Sequence, residues 1–374
     1  MKKEIKVHNK SDKPDNVVRR ENEIIEKCLS IERELPYFFK DFFLFLKNNV
    51  LPMTRLSYLA DIKFFCQYLL KETQITDAER LCDISAEDFN KIDSRDINRF
   101  IGDFCSRYHI EKGDAVYIFE NQNRSLARKQ SSLSVLFKYL YRDKMLDKNI
   151  TDGFNPIKLP KAGSREIKRL DDYEVKRMID AVSKGFGLTE KEKEYWKKTK
   201  LRDTAIIILF VTYGLRLYEL QQLNISSFNF IRGEFKIYRK RGKEVLMPLN
   251  KSVEKVITDY IEQERPSADL LSEENKDGLF LSLQRKRMTE RAIRTLVKKY
   301  TSVAMGTVRD LGYSPHKLRA TAATSLIEQG NSIYDVQNLL DHENITTTQL
   351  YAAHRKNLKR ELLKNFEWLD EFEK

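Results

Sequence analysis

The sequence predicts a mainly α-helical protein of two domains: an all-α N-terminal domain, then an α+β domain with a small antiparallel sheet. Three observations predict it. A length of 374 residues is enough for two cores. Through most of the chain apolar residues recur every three or four positions, the spacing that lines one face of a helix. After residue 227 the pattern breaks into short strand-like runs (FNFI, GEFKIYRK, EVLMPL) before helical spacing returns.

Residues 1–35 read as a flexible, charged start that carries one amphipathic helix, Val17 to Ile31. Residues 36–155 read as a helical domain, helical throughout from Tyr37 to Tyr141. Within it Thr54 is a plausible N-cap, followed by Leu56, Leu59, Ile62, Phe65 and Leu69 on one face. Ser125 opens a second helix with Leu126, Leu133, Leu136, Phe137 and Leu140 on its apolar side. The other side offers Arg124, Arg128, Lys129 and several serines, a mix suited to phosphate contacts and equally to a solvated face. Pro156, Pro160 and Gly163 mark residues 156–170 as a linker, because proline removes a donor and biases the preceding residue away from helix.

Residues 171–374 form the second domain. LDDYEVKRMIDAV restarts a helix, and KGFGLTEKEKEYWKKTK is a charged surface element. An apolar helix, Asp203 to Thr212, ends near Gly214. The run Arg232–Lys243 holds six basic residues in twelve, and its alternation predicts a strand with a basic face, on which Arg239, Arg241 and Lys243 are expected to meet the phosphates of a nucleic acid. The chain closes on a helix bearing Leu358, Leu362, Phe366 and Leu369, an apolar stripe for its own domain or for a partner subunit.

Lys+Arg outnumber Asp+Glu 68 to 56, a net charge of +12. Such a chain suits a polyanion, since each neutralised phosphate releases counterions, although the balance also fits an ordinary basic enzyme. The first twenty residues lack the apolar core of a secretory signal, and no stretch approaches the ~18 consecutive apolar residues of a membrane span. Cys28, Cys66, Cys82 and Cys105 lack paired-ligand spacing, which argues for neither a zinc site nor a disulfide scaffold; Cys66 reads as a buried thiol. The expected address is cytoplasmic, with no membrane partner.

The stretch His316–Tyr351 reads HKLRATAATSLIEQGNSIYDVQNLLDHENITTTQLY. Arg319 lies three residues after His316, His342 lies 23 after Arg319, and Tyr351 lies nine beyond that. Cations gathered around one nucleophile suit attack on a phosphodiester, whose transition state spreads negative charge that the protein must neutralise. Upstream, TYGLRLYELQQLNISSF places Arg216 after a glycine at a helix-to-helix turn.

Together with RKRGKEVLMPL, these segments resemble the tyrosine recombinase family of phage integrases and Xer-type recombinases. TRLSYLADIKFFCQYL and LARKQSSLSVLFKYL resemble that family's core-binding helices, so the resemblance runs from Tyr37 to the C-terminus. It implies a core-binding domain followed by a catalytic domain. Arg216 and Arg319 are similar to the two catalytic arginines, each offering a planar fork of donors to phosphate oxygens. Lys240 is similar to the general acid for the leaving 5′ oxygen, with Lys243 a nearby competitor. His316 matches the histidine that assists proton transfer and holds the phosphate, His342 the one that donates to a non-bridging oxygen, and Tyr351 the nucleophile.

A phenol with an ordinary pKa of about 10 needs cations beside it to attack at neutral pH. The implied 3′-phosphotyrosine conserves the energy of the broken bond, so rejoining needs no cofactor. The sequence shows neither an acidic metal cluster nor a glycine-rich phosphate loop. The implied partners are double-stranded DNA with specific core sites and other copies of the chain. These copies form a homo-tetramer on DNA, joined through the final helix, and a monomer or weak dimer when free.

Two positions depart from the family pattern: Ala320 stands in LRAT where many relatives have LRHT, and Asp341 in LDH where many have LGH. Glu219 matches an acidic position that steadies the first arginine, or else forms a surface salt bridge. The implied activity is site-specific strand exchange for integration or excision, inversion or dimer resolution. The rivals are a type IB topoisomerase and a DNA-binding protein without catalysis. The short N-terminal extension points to an enzyme of the mobile-element or Xer kind that reads core sites only.

Overall fold

The computed structural model describes residues 13–160, 168–239 and 242–341. Of the expected site residues, Lys240, His342 and Tyr351 lie outside the described residues, as do Arg241 and the closing helix. The chain divides into two compact units, Met1–Lys161 and Ala162–Lys374.

The first unit contains α1 (Asp15–Glu32), α2 (Lys40–Asn49), α3 (Pro52–Glu72), α4 (Ala86–Lys91) and α5 (Ser94–Arg99). A hairpin of β1 (Arg107–Lys112) and β2 (Ala115–Glu120) follows, then α6 (Asn123–Arg142). Leu59, Ile62, Phe65 and Leu69 of α3 are fully buried against Leu133, Leu136, Phe137 and Leu140 of α6, the faces that the spacing predicts. Phe65 meets Phe100 and Phe137 edge-on, at 5.0 and 6.1 Å, the arrangement favoured by ring quadrupoles.

Several expectations need correcting here. Thr54 is not a cap, because Pro52 takes the first turn of α3, where its missing N–H costs nothing. Ser125 likewise lies inside α6, which starts two residues earlier. The helix expected in a separate extension, α1, is part of this unit's core. Its Val17 and Cys28 are buried, and Glu32 accepts two bonds from Arg55 of α3 at 2.8 and 2.6 Å.

The domain is also not all-α. Residues 107–120 read RYHIEKGDAVYIFE: RYHIEK alternates, AVYIFE is a continuous β-prone run, and between them Gly113-Asp114 forms a two-residue loop in which Gly113 takes the positive φ of 57°. The strand pair is held by Tyr108, which stacks on Phe119 at 5.2 Å and meets the tilted ring of Phe64 at 5.0 Å.

The second unit runs α7 (Asp172–Lys184), α8 (Glu190–Trp196), α9 (Lys200–Tyr213), α10 (Leu217–Gln221), β3 (Phe228–Asn229), β4 (Glu234–Tyr238) and β5 (Glu244–Pro248). Then come α11 (Lys251–Gln263), α12 (Glu290–Met305), α13 (Pro315–Glu328) and α14 (Ile333–Leu340). The strands pair antiparallel in the order β3-β4-β5. Phe235 and Ile237 of β4 point into the core while Lys236 between them is exposed, the alternation of a half-buried strand.

At the centre lies α9. Its Ala205, Ile206, Ile207, Leu209 and Phe210 are fully buried, so α7, α11 and α13 pack around it. Gly214 ends it in the left-handed region, at φ 57°. The charged element at 184–200 is tied down on both sides. Trp196 of α8 donates to the Val182 carbonyl at 2.7 Å, and Glu192 is bridged by Arg309 at 2.8 Å. Among the described residues no helix is long and apolar enough to cross a membrane.

Candidate active site

A helix leaves its last carbonyls without intrahelical partners and concentrates partial negative charge there. In α14 that end attracts three arginines from three distant segments. Arg239 donates to the Leu339 carbonyl at 2.6 Å, Arg319 to that of Leu340, and Arg216 to that of Asp341 at 2.9 Å. Three consecutive carbonyls thus hold three guanidinium groups, immediately before His342 in sequence.

Each arginine is also fixed from behind. Arg319, on α13 and only 3% exposed, donates to the Gly214 carbonyl at 2.7 Å, which ties it to the end of α9. Arg216 caps α10, and its side chain and backbone N–H both reach Glu219 at 2.8 Å. Glu219 is 2% exposed, so the pair is anchored on a buried carboxylate and is not a surface salt bridge. The Arg216 side chain keeps 37% of its surface open to solvent, which leaves it free to meet an anion.

Asp341 takes the left-handed conformation after α14, at φ 53°, and turns its carboxylate back to the same cations. One oxygen accepts from Lys243 at 3.3 Å and lies 3.6 Å from Arg239; the other lies 3.8 Å from Arg216. Burial works against the charged form, but Arg239, Lys243 and Arg216 outweigh it and hold this carboxyl below its usual pKa.

His316, in the first turn of α13, is exposed on one side. Desolvation on the other, then the charges of Lys317, Arg319 and Arg216, push its pKa below the ordinary imidazole value. The neighbour Ala320 is buried and joins Ala323, Ile327, Val336 and Leu340 in the contact between α13 and α14. At this position the chain carries a small packing residue.

Of the expected site residues, the structure brings Arg216 and Arg319 to one helix end, with His316 close enough to feel both charges. Of the expected DNA contacts, Arg124 and Arg128 on α6 and Lys243 beside the β4–β5 turn are exposed. Lys129 and Arg239 are not, and both expectations need correcting.

Lys129 is 8% exposed, reaches Asp61 of α3 at 3.4 Å and lies 4.7 Å over the Phe64 ring. Arg128 and Ser132 converge on the same buried carboxylate. A lone acid inside the apolar face LADIKFF was the signal, since a buried charge must be paired. Arg239 is 5% exposed because it continues the inward parity of Phe235 and Ile237, a register legible in the sequence.

Comparison with known proteins gives the family and the fold. Residues 168–357 match the phage integrase family. The chain is 32% identical to tyrosine recombinase XerC of Caldanaerobacter subterraneus over 306 residues, which cover 80% of this chain and 78% of that protein. It is 29% identical to tyrosine recombinase XerD of Staphylococcus epidermidis over 278 residues, 74% of this chain and 85% of that one. Among solved structures it shares the fold of XerH site-specific recombinase bound to difH substrate, with a TM-score of 0.57, 19% identity and 91% and 93% of the two chains covered. A lambda integrase dimer bound to a COC′ core site gives a TM-score of 0.53 at 16% identity, with 81% and 93% covered.

Proposed function

As a member of the phage integrase family, the chain is a site-specific tyrosine recombinase that cleaves and rejoins DNA, and we propose that Arg216, Lys240, His316, Arg319, His342 and Tyr351 carry the reaction. The observation that carries this assignment is the shared seat of Arg216 and Arg319. Residues 103 positions apart deliver their guanidinium groups to adjacent carbonyls, Asp341 and Leu340, one residue before His342.

In this reading the Tyr351 oxygen attacks the scissile phosphorus as its hydroxyl proton passes to His316. The bond to the 5′ oxygen breaks, and Lys240 protonates the leaving oxygen. The arginines and histidines neutralise the charge that builds on the non-bridging oxygens. Rejoining reverses these steps with a 5′ hydroxyl from another strand, so each bond broken is matched by one formed. Arg124 and Arg128 of the first unit contact the duplex backbone. The active assembly is a homo-tetramer on double-stranded DNA with core sites, the soluble protein acts in the cytoplasm, and the gene belongs to a mobile element or a dimer-resolution system.

Tyr351→Phe tests the assignment. On a nicked duplex built from the DNA flanking the gene, the wild type forms a covalent protein–DNA adduct and the variant binds without forming one. Persistence of the adduct in the variant would overturn the role of Tyr351. Relaxation of supercoils by a protein that stays monomeric on DNA, with no recombinant product, would favour a topoisomerase instead.

A further inference from the structure

We infer that Asp341 is a resident anion: its carboxylate faces Arg216, a cation that receives the scissile phosphate, and the neighbouring Lys243 and Arg239, and DNA must displace it from Arg216 before cleavage. This rests on the reading of Arg216 as a phosphate-binding residue. Among the described residues two carboxylates meet these cations, and their contacts decide which one can leave. Glu219 is 2% exposed and takes direct 2.8 Å bonds from Arg216, so it is fixed. Asp341 has 29% of its side chain exposed and meets its cations at 3.3, 3.6 and 3.8 Å, distances of loose pairing.

Access points the same way. The side chains of Arg216 and Lys243 are 37% and 64% exposed, so an incoming anion can reach two of the three cations that Asp341 now faces. Exchange of one negative group for another leaves the charge of the cluster unchanged, which keeps displacement cheap once a phosphate is positioned by the rest of the duplex. Arg239 is the inner anchor. It is buried, bonded to the Leu339 carbonyl, and its Nε has no hydrogen-bond partner among the described residues. It lies between the two carboxylates, 3.9 Å from Glu219 and 3.6 Å from Asp341.

The consequence is a site that holds its own charge balance when empty and opens only to an anion delivered in register. Small free anions, which lack the support of a bound duplex, are excluded by competition. An aspartate is well suited to this place, since few side chains tolerate φ 53° and Asp is one of them.

Asp341→Asn keeps the shape and the tolerance for the left-handed backbone while removing the charge. The probe is inorganic sulfate, titrated against the full-length protein and read as ligand-dependent thermal stabilisation. Removing a unit charge about 4 Å from the site is expected to lower the half-saturating sulfate concentration about five-fold or more. In Asp341→Asn/Arg216→Met that gain disappears. Sulfate affinity unchanged or weakened in Asp341→Asn overturns the proposal. If that variant does not fold, Asp341→Gly, which fits this backbone without strain, carries the same expectation and the same reversal.

Adduct formation on the nicked duplex separates the two readings. A missing sulfate gain with the adduct intact overturns the resident anion alone, and a missing adduct with the sulfate gain intact overturns the recombination chemistry alone.

Discussion

Arg319 donates to the carbonyl of Gly214 at 2.7 Å, so the turn that ends α9 and a candidate catalytic arginine form one mechanical unit. The turn needs its glycine twice over. Gly214 has φ 57°, and a Cβ there would stand 2.8 Å from a Leu340 methyl and 3.3 Å from Ala322 Cβ. Leu340 belongs to the helix end that also binds Arg319, so a push at this point moves both ends of the guanidinium.

Gly214→Ala is therefore expected to cost about 2–4 kcal/mol, from left-handed strain and from overpacking together. Chemical denaturation of the variant measures it. Adduct formation by the fraction that remains folded is expected to fall at least ten-fold, because a small displacement of a positioning group is amplified in rate. Full adduct yield from a variant with unchanged stability would show that the turn does not set the arginine.

His316 gives a pH dependence of definite sign. Its pKa in the folded protein lies below the ordinary value of about 6.5, so the unfolded chain binds a proton first as pH falls. The stability it contributes is fully present above that ordinary value and is lost as pH falls from there through the lowered folded pKa. The expected result is that His316→Gln loses less melting temperature than the wild type between pH 7.5 and 5.5. Since one side of the ring is exposed, the difference is modest. A steeper loss in the variant would reverse the sign of the argument.

Asp61 holds the first unit together from inside. Asp61→Ala leaves Lys129 buried without a counter-charge, a change expected to cost about 3–5 kcal/mol, whereas Asp61→Ala/Lys129→Met recovers much of it. Denaturation of the two variants decides this. Arg124→Ala is expected to reduce the slope of log affinity against log salt by about one, as loss of one phosphate contact does. The buried Lys129 is expected to leave that slope unchanged when replaced by Met. An equal change in slope for both would return Lys129 to the DNA-facing side.

Much of the fold was legible because spacing reports burial directly. The apolar rows of α3 and α6 are buried as their three- and four-residue recurrence requires. The helix before Gly214 ends where a residue free to adopt positive φ stands. The β1–β2 hairpin was hidden by a helical neighbourhood, although its β-prone runs and Gly-Asp loop were written in the chain. Lys129 and Arg239 misled because a basic residue counts as exposed until its partner is known. Asp61 lies 68 positions from the first, and the Leu339 carbonyl 100 from the second.

By itself, the sequence determined the helix faces, the glycine at the α9 turn and, through its likeness to the tyrosine recombinases, the class of chemistry. Only the tertiary structure decided that Arg216, Arg239 and Arg319 share one helix end and that Asp341 faces the first two. The reason is physical: periodicity encodes which side of an element is buried, a local property, whereas a guanidinium finds its carbonyl across a hundred residues only after the chain has packed.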